Sequence, residues 1–187
     1  MPPAFSPKAL DVAAFAAAQG ELQGSDALDA FPRLAQECLA DAGPVRVQWQ
    51  ARGLSLTLPA AGPRPGLHLQ AQVSVPLVCQ MCLGPTLTPL TVDRRLAFAA
   101  DEASAERLDS AEDLPDDLDV LALPERANLH ELLEDELLMA LPLTPRHDGP
   151  CPQRLPMQAQ SAGFDDASAR RNPFAELARL KSDLRKP

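Results

Sequence analysis

The sequence predicts an α+β fold, in which an antiparallel sheet of about four or more strands packs against helices, with a flexible acidic loop and a C-terminal helix after a linker. Apolar residues alternate with polar ones through much of residues 45–98, which is typical of half-buried strands. Segments with helical spacing of apolar residues lie on both sides of this region. The 187 residues are enough for one ordinary domain core and too few for two.

Two short helices are predicted before the sheet. Ser6 and Pro7 form a plausible cap and first position of an alanine-rich helix that runs to residue 19. Asp29 can cap a second helix, and Cys38 lies on its apolar face. We therefore expect Cys38 to pack in the core.

The strands are predicted from runs in which every second residue is apolar. Arg52 and Gly53 interrupt the first of these runs and predict a turn. Successive strands joined by short connectors favour an antiparallel meander. The predicted strands cover residues 45–50, 54–58, 67–75 and 86–98.

The net charge of −9 is concentrated in one segment. Residues 101–136 hold fourteen acidic side chains against Arg107 and Arg126, whereas residues 1–100 are balanced. Residues of about 99–127 contain few large apolar groups, so we expect them to form a flexible acidic loop. A surface of this sign repels phosphate backbones and suits a basic protein partner.

An amphipathic helix is predicted after the acidic loop. Asn128 can cap it, and Pro142 ends it. Leucines at helical spacing form its apolar face, and acidic residues are expected on its outer face. Two interpretations of the outer face remain open: a solvated helix surface, or a contact surface for a basic partner. The predicted partner-binding residues of this face are Glu131, Glu134, Asp135 and Glu136.

The predicted organisation is a single domain over residues 1–151, a linker over 152–171 and a helical segment over 172–187. The linker is rich in Gln, Ala, Ser and Pro. A lone short helix is marginal in water, so the last segment must dock on its own domain or on a partner. Its predicted partner-binding residues are Phe174, Leu177 and Leu180, which recur at helical spacing.

Three of the four cysteines, with one histidine, form a candidate metal site. Cys79 and Cys82 are two residues apart where a long strand ends, so both thiolates can bind the same tetrahedral ion. His147 and Cys151 would complete the set from a proline-rich loop. Structural zinc, packing of reduced thiols and a redox pair all remain open at this point.

Other functional classes find less support in the sequence. It contains no run of about 20 apolar residues for a membrane helix, and its start lacks a leader pattern, so we expect a cytoplasmic protein. It also lacks a phosphate-binding glycine loop and a nucleophile elbow. His130 is expected to be exposed or adjacent to the helix cap. We therefore expect a non-enzymatic binding protein without a small-molecule substrate.

Direct RNA binding through a local basic strip is the alternative to a protein partner. Its candidate residues are Arg94, Arg95, Arg170 and Arg171. A third hypothesis is a metal-dependent RNA-processing or redox enzyme.

Four segments of the sequence together resemble one protein family. They are residues 20–35, the strand end CQMCLGP, the helix and loop LHELLEDELLMALPLTPRHDGPC, and the terminal NPFAELARLK. In order and approximate spacing they resemble the YceD family of large ribosomal RNA accumulation proteins. Met81 stands where an arginine is common in that family.

The resemblance implies a bacterial cytoplasmic factor needed for 23S ribosomal RNA to accumulate, and therefore a role in synthesis, processing or assembly of the large subunit. It implies no catalytic mechanism and transfers Cys79, Cys82, His147 and Cys151 only as a family-like cluster. A ribosomal protein or an RNA-processing enzyme would be the basic partner.

Overall fold

The computed structural model describes residues 5–39, 43–58, 61–111 and 113–153. Within these ranges, five strands form one sheet in chain order, antiparallel except for the last pair of strands, and four α-helices surround it. The predicted α+β fold class and its largely antiparallel sheet are therefore confirmed. The elements are α1 (Val12–Ala17), β1 (Glu21–Ala27), α2 (Pro32–Glu37), β2 (Arg46–Leu58), β3 (Gly62–Val78), β4 (Pro85–Ala99), α3 (Glu102–Asp109), β5 (Leu118–Ala122) and α4 (Leu129–Met139), with a 3₁₀ turn at Leu28–Ala30.

Strand β2 runs through Arg52 and Gly53 without a turn, so the turn predicted there is wrong. Arg52 pairs with His68 and Gly53 with Leu67 in an unbroken register. Gly53 lies directly under α1, where an added Cβ would come within 2.7 Å of the Phe15 carbonyl carbon. The glycine serves a close approach of helix and strand and does not mark a chain reversal.

Strand β1 was not predicted, because its sequence ELQGSDA lacks apolar alternation. It lies at one edge of the sheet and pairs with β2 from Glu21 to Ala27. Gly24 lets the Trp49 indole lie against the strand, since a Cβ there would come within 2.6 Å of the ring. β1 is therefore held by close packing of Gly24 against Trp49, without the alternation of apolar and polar residues that is usual in strands.

The two faces of the sheet bury separate apolar clusters. Trp49 and Ala51 of β2 face the main core, which also contains Phe15 and Leu133 of the helices. Leu56 has the opposite parity and packs in a smaller cluster with Ala105 of α3. Helices α1, α2 and α4 therefore cover one face, and α3 covers part of the other.

The N-terminal helices are shorter than predicted. Asp11 caps α1 by accepting a hydrogen bond from the Ala14 N–H at 2.9 Å, so the predicted start at Ser6 and Pro7 is wrong. Leu10 instead forms an antiparallel bridge with Ala127, and the preceding residues form a turn in which the Ala9 N–H donates to the Ser6 carbonyl at 3.3 Å. Asp29 lies in the 3₁₀ turn and does not cap α2.

The segment predicted as a flexible acidic loop contains α3 and β5. Asp101 caps α3 through the Ser104 N–H at 2.8 Å. Leu118 and Val120 of β5 are buried against β4, to which β5 runs parallel. The prediction of a loop is wrong because a few apolar residues are enough to order the segment when they can be buried against the edge of an existing sheet.

Helix α4 begins after Asn128, as predicted. The Asn128 side chain accepts a hydrogen bond from the His130 N–H at 3.1 Å and donates one to the Glu131 side chain at 3.0 Å. Leu129, Leu133 and Leu137 are fully buried on its inner side. None of the helices in the described ranges has the length and apolar character needed to cross a membrane. The predicted linker, beyond Gln153, and the predicted C-terminal helix lie outside the described residues.

Candidate metal centre

The turn between β3 and β4 presents two thiols to the interior. The Leu83 N–H donates to the Cys79 carbonyl at 2.8 Å, and the Cys79 N–H donates to the Gly84 carbonyl at 2.9 Å. Leu83 takes a positive φ of 58°, which allows the chain to reverse within a few residues. Cys79 and Cys82 are both buried on the inner side of this turn.

The other two residues of the candidate metal site, His147 and Cys151, belong to the segment after α4 and lie next to this turn. The Gln80 N–H donates to the Pro145 carbonyl at 2.9 Å, which fixes this segment against the turn. Cys79 Sγ then lies 3.8 Å from Cys151 Sγ, and Cys82 Sγ lies 3.4 Å from His147 Nε2. The four ligand atoms of Cys79, Cys82, His147 and Cys151, here named the Cys3His cluster, all lie within 4.8 Å of one another.

Two of these distances have the spacing expected around a tetrahedral zinc ion. With Zn–S bonds of about 2.3 Å and a Zn–N bond of about 2.0 Å, neighbouring ligand atoms should be about 3.5–3.8 Å apart. Cys79 and Cys151 meet this value, and Cys82 and His147 nearly do. The sulfur–sulfur distance of 3.8 Å far exceeds the roughly 2.05 Å of a disulfide bond. Three thiols and one imidazole are also a typical donor set for structural zinc.

The electrostatics of the Cys3His cluster favour a cation. Burial opposes ionisation of Cys79, but the backbone N–H groups of Met81, Cys82 and His147 outweigh it and lower the pKa of its thiol to about 6. Burial and the neighbouring sulfurs of Cys79 and Cys82 raise the pKa of the Cys151 thiol to about 11. A metal ion would therefore meet a thiolate at Cys79 and would displace a proton from Cys151.

Four protein ligands leave no open coordination position for a substrate or an activated water. Cys82 and His147 are 65 residues apart in sequence. A metal ion bound by the Cys3His cluster would join the β3–β4 turn to the segment after α4. The arrangement suits structural stabilisation.

The structure separates the four acidic residues predicted on the outer face of α4. Glu131 and Asp135 are exposed, as predicted. Glu134 is only 3% exposed and accepts hydrogen bonds from the N–H groups of Arg33 and Leu34 at the start of α2, so its predicted outward position is wrong. Glu136 is partly buried and lies 3.6 Å from Arg94, and this burial raises the pKa of its carboxyl.

The described residues of the predicted RNA-binding strip are paired with carboxylates. Arg94 bonds to Asp119 at 2.6 Å, and Arg95 makes two bonds of 2.7 Å to Asp117. The Arg95 guanidinium holds the pKa of the Asp117 carboxyl below its usual value. Both cations are therefore engaged by carboxylates of the same fold. Arg170 and Arg171, like Phe174, Leu177 and Leu180, lie outside the described residues.

His130 makes tertiary contacts that the sequence did not reveal. It was expected to be exposed or adjacent to the cap. It is adjacent to the cap, since its N–H donates to the Asn128 side chain, but the side chain of His130 is only 15% exposed. Its ring packs against Phe31 and Trp49, and its Nε2 lies 3.1 Å from an Asp26 oxygen that also accepts the Trp49 Nε1–H. No spacing rule links a strand carboxylate to a helix imidazole 104 residues away, so sequence reasoning had no signal for this contact.

Comparison with known proteins supports the family resemblance seen in the sequence. The family model described as large ribosomal RNA subunit accumulation protein YceD matches residues 67–181, which include the whole Cys3His cluster. The large ribosomal RNA subunit accumulation protein YceD of Haemophilus influenzae is 31% identical over 118 residues. That alignment covers 60% of this chain and 63% of the relative, so it spans less than two thirds of the relative's length.

No solved structure matches the chain. The family model, however, covers more than half of the sequence and both halves of the Cys3His cluster. The chain belongs to the YceD family, described as large ribosomal RNA subunit accumulation proteins.

Proposed function

We propose that this protein is a non-enzymatic factor needed for 23S ribosomal RNA to accumulate, acting in the bacterial cytoplasm during synthesis, processing or assembly of the large ribosomal subunit. The observation that carries this proposal is membership of the YceD family over residues 67–181. The Haemophilus influenzae relative is named for large ribosomal RNA subunit accumulation. The closed geometry of the Cys3His cluster supports a binding role over catalysis.

We propose further that the Cys3His cluster holds a structural zinc ion. Its supporting observations are the spacing of the four ligand atoms and the lowered pKa of the Cys79 thiol. The ion would stabilise the end of the molecule where the β3–β4 turn meets the segment after α4. The four ligands would do this without taking part in a reaction.

The protein acts, in this proposal, as an acidic adaptor for a basic protein, such as a ribosomal protein or an RNA-processing factor. The high acidic content of residues 101–136 supports it. Pairing of Arg94 and Arg95 with carboxylates supports a protein partner over a direct RNA contact through those residues. The exposed carboxylates on α4 are Glu131 and Asp135, whereas Glu134 is excluded by its burial.

Depletion of the protein in its own bacterium tests the proposed function. We expect 23S RNA to fall relative to 16S RNA, and plasmid-borne protein should restore the ratio. Cys79→Ser should restore it less well than Cys38→Ser, a matched change at a cysteine outside the Cys3His cluster. An unchanged 23S to 16S ratio after depletion would rule the proposal out.

A further inference from the structure

Strand β1 forms one edge of the sheet, and within the described residues β2 is the one strand that pairs with it. The Leu28 N–H donates to the Val45 carbonyl in the register that β1 and β2 share, so the even-numbered residues of β1 bond to β2. The odd-numbered residues therefore direct their N–H and carbonyl groups away from β2. They are Glu21, Gln23, Ser25 and Ala27, and all four are exposed.

The hydrogen-bond donors of this edge are available. In the part of the chain that the structure describes, the N–H groups of Gln23, Ser25 and Ala27 have no acceptor. The Ser25 carbonyl accepts one hydrogen bond, from Arg46 Nη2, and a carbonyl has a second lone pair. β1 also contains no lysine, proline or bulge, which are the features that commonly keep an edge strand from pairing with another chain.

The sequence of β1 is suited to antiparallel pairing with itself. A two-fold axis at Gly24 would place Gln23 opposite Ser25 of a second copy, and Glu21 opposite Ala27 of that copy. Because all of these residues direct their backbone groups outward, each facing pair can exchange two hydrogen bonds. A shift by one residue would place outward groups opposite inward ones, and a shift by two would leave one of the four residues without an outward-facing partner. The register centred on Gly24 is therefore the best one.

A charge pair supports the same register. Arg46 lies opposite Ala27 on β2, and its guanidinium reaches the Ser25 carbonyl at the sheet edge. Glu21 of a second copy would lie on the other side of Ala27, whose small side chain leaves room between the two charges. With strands about 4.8 Å apart, the Cα atoms of this Glu21 and Arg46 would be about 10 Å apart, which two long side chains can span. Within its own chain, Glu21 contacts Arg52 at 3.4 Å, and both side chains are more than half exposed.

We propose that two copies of this chain pair through β1, antiparallel and centred on Gly24, and form a dimer with one continuous sheet. A second copy fits this edge because the outward backbone groups and the Glu21–Arg46 charge pair match in a single register, and the symmetry forms each contact twice. A groove of about 650 Å³, lined by glutamines of β1, β2 and β3, would continue from one copy to the other. Dimerisation goes beyond the proposed function, which would still stand if the protein were a monomer.

Sedimentation velocity on the full-length protein tests the dimer. We expect reversible association with a Kd on the order of 10 μM, because two paired seven-residue strands bury less area than a standard interface. Glu21→Arg and Arg46→Glu should each weaken association by more than about tenfold, since each places like charges beside each other twice. The matched control Glu37→Arg reverses an exposed charge outside β1 and should change the Kd by less than about twofold. Circular dichroism establishes that the variants fold.

An equimolar mixture of the Glu21→Arg and Arg46→Glu variants tests the register itself. In a mixed dimer the two substituted positions carry opposite charges and face each other, and so do the two unsubstituted ones. We therefore expect the mixture to recover association to within about threefold of the wild type. A wild type that remains monomeric at about 100 μM, or a mixture that associates no better than either variant alone, would overturn the proposal.

Discussion

At the residue scale, Glu134 joins two helices whose contacting residues are 100 residues apart in sequence. Its carboxylate accepts hydrogen bonds from the Arg33 N–H at 2.6 Å, the Leu34 N–H at 3.1 Å and the Arg33 Nε at 2.9 Å. The first turn of a helix has unpaired N–H groups, and α2 has no capping side chain of its own. Glu134 therefore replaces the missing cap from α4 and neutralises Arg33.

We expect Glu134→Ala to lower the free energy of unfolding by about 3 kcal/mol, because it leaves buried N–H donors without an acceptor. Asp135→Ala is the matched control, since it removes the other carboxylate bound to Arg33 at an exposed position. Its expected effect is below about 1 kcal/mol. Urea unfolding measures both, and equal effects would contradict the capping role.

Asp26 should make stability depend on pH in the acidic range. The hydrogen bond from Trp49, aided by His130, outweighs partial burial and lowers the pKa of its carboxyl below the usual value of 3.8. A lowered pKa means that the ionised form stabilises the fold, fully so above the unfolded pKa, and that this contribution is lost as pH falls through the folded pKa.

The stability difference between the wild type and Asp26→Asn should therefore shrink as pH falls below about 4. Urea unfolding across this range measures it. Asp29→Asn alters an exposed carboxylate in the 3₁₀ turn after β1. Its stability difference from the wild type should vary less with pH. A difference for Asp26→Asn that grows on acidification would refute the predicted sign.

The sequence reveals residue roles unevenly. Cys79 and Cys82 were predicted together because two thiolates at this spacing can bind the same tetrahedral ion. Glu134 was placed on the wrong side of α4, and the burial of the His130 ring beside the cap was not predicted, because helical spacing identifies an apolar stripe but not the polar groups that another element brings to its border. Their partners, Arg33 and Asp26, lie on elements that only the tertiary structure brings close.

At the element scale, β3 and β4 followed from the sequence, β2 was divided by a turn that does not exist, and the edge strands were not predicted. β3 and β4 alternate over long runs and pack on the main core, so their period of two is strong. β1 and β5 are short edge strands with one partner each, and fewer of their side chains need burial. An edge strand is defined by hydrogen bonds to its one neighbour, whereas a central strand can also be recognised from its alternating apolar residues.

Gly53→Ala should test the close packing of α1 on β2. The added Cβ would come within 2.7 Å of the Phe15 carbonyl carbon and 2.9 Å of the Ala16 Cα, which are backbone atoms that cannot rotate away. We expect a loss of about 2 kcal/mol in the free energy of unfolding. Gly149→Ala has no atom within 4 Å of the added Cβ and should change stability by less than about 0.5 kcal/mol. Similar losses of unfolding free energy in the two variants would show that the close packing of α1 on β2 does not require a glycine at position 53.

At the scale of the whole molecule, the Cys3His cluster joins residues that are 72 positions apart in the sequence, so loss of a metal ion there should lower the stability of the fold. We expect about one zinc ion per chain in protein purified without chelator, and a lower Tm when a chelator is added. Cys79→Ser should lose the metal and the chelator response, whereas Cys38→Ser should keep both. Elemental analysis and thermal unfolding provide the measurements, and clearly substoichiometric zinc in the wild type would favour packing of reduced thiols instead.

The separation of the cluster residues also sets an order of events during synthesis. Cys79 and Cys151 are 72 residues apart, and β4, α3, β5 and α4 lie between them. The first pair of ligands leaves the ribosome well before the second, and closing so long a chain segment is entropically costly until the intervening elements have folded. A zinc ion that finds all four ligands would therefore bind only after these elements are complete. Metal uptake by the nascent chain would then act as a timing marker for maturation of the domain.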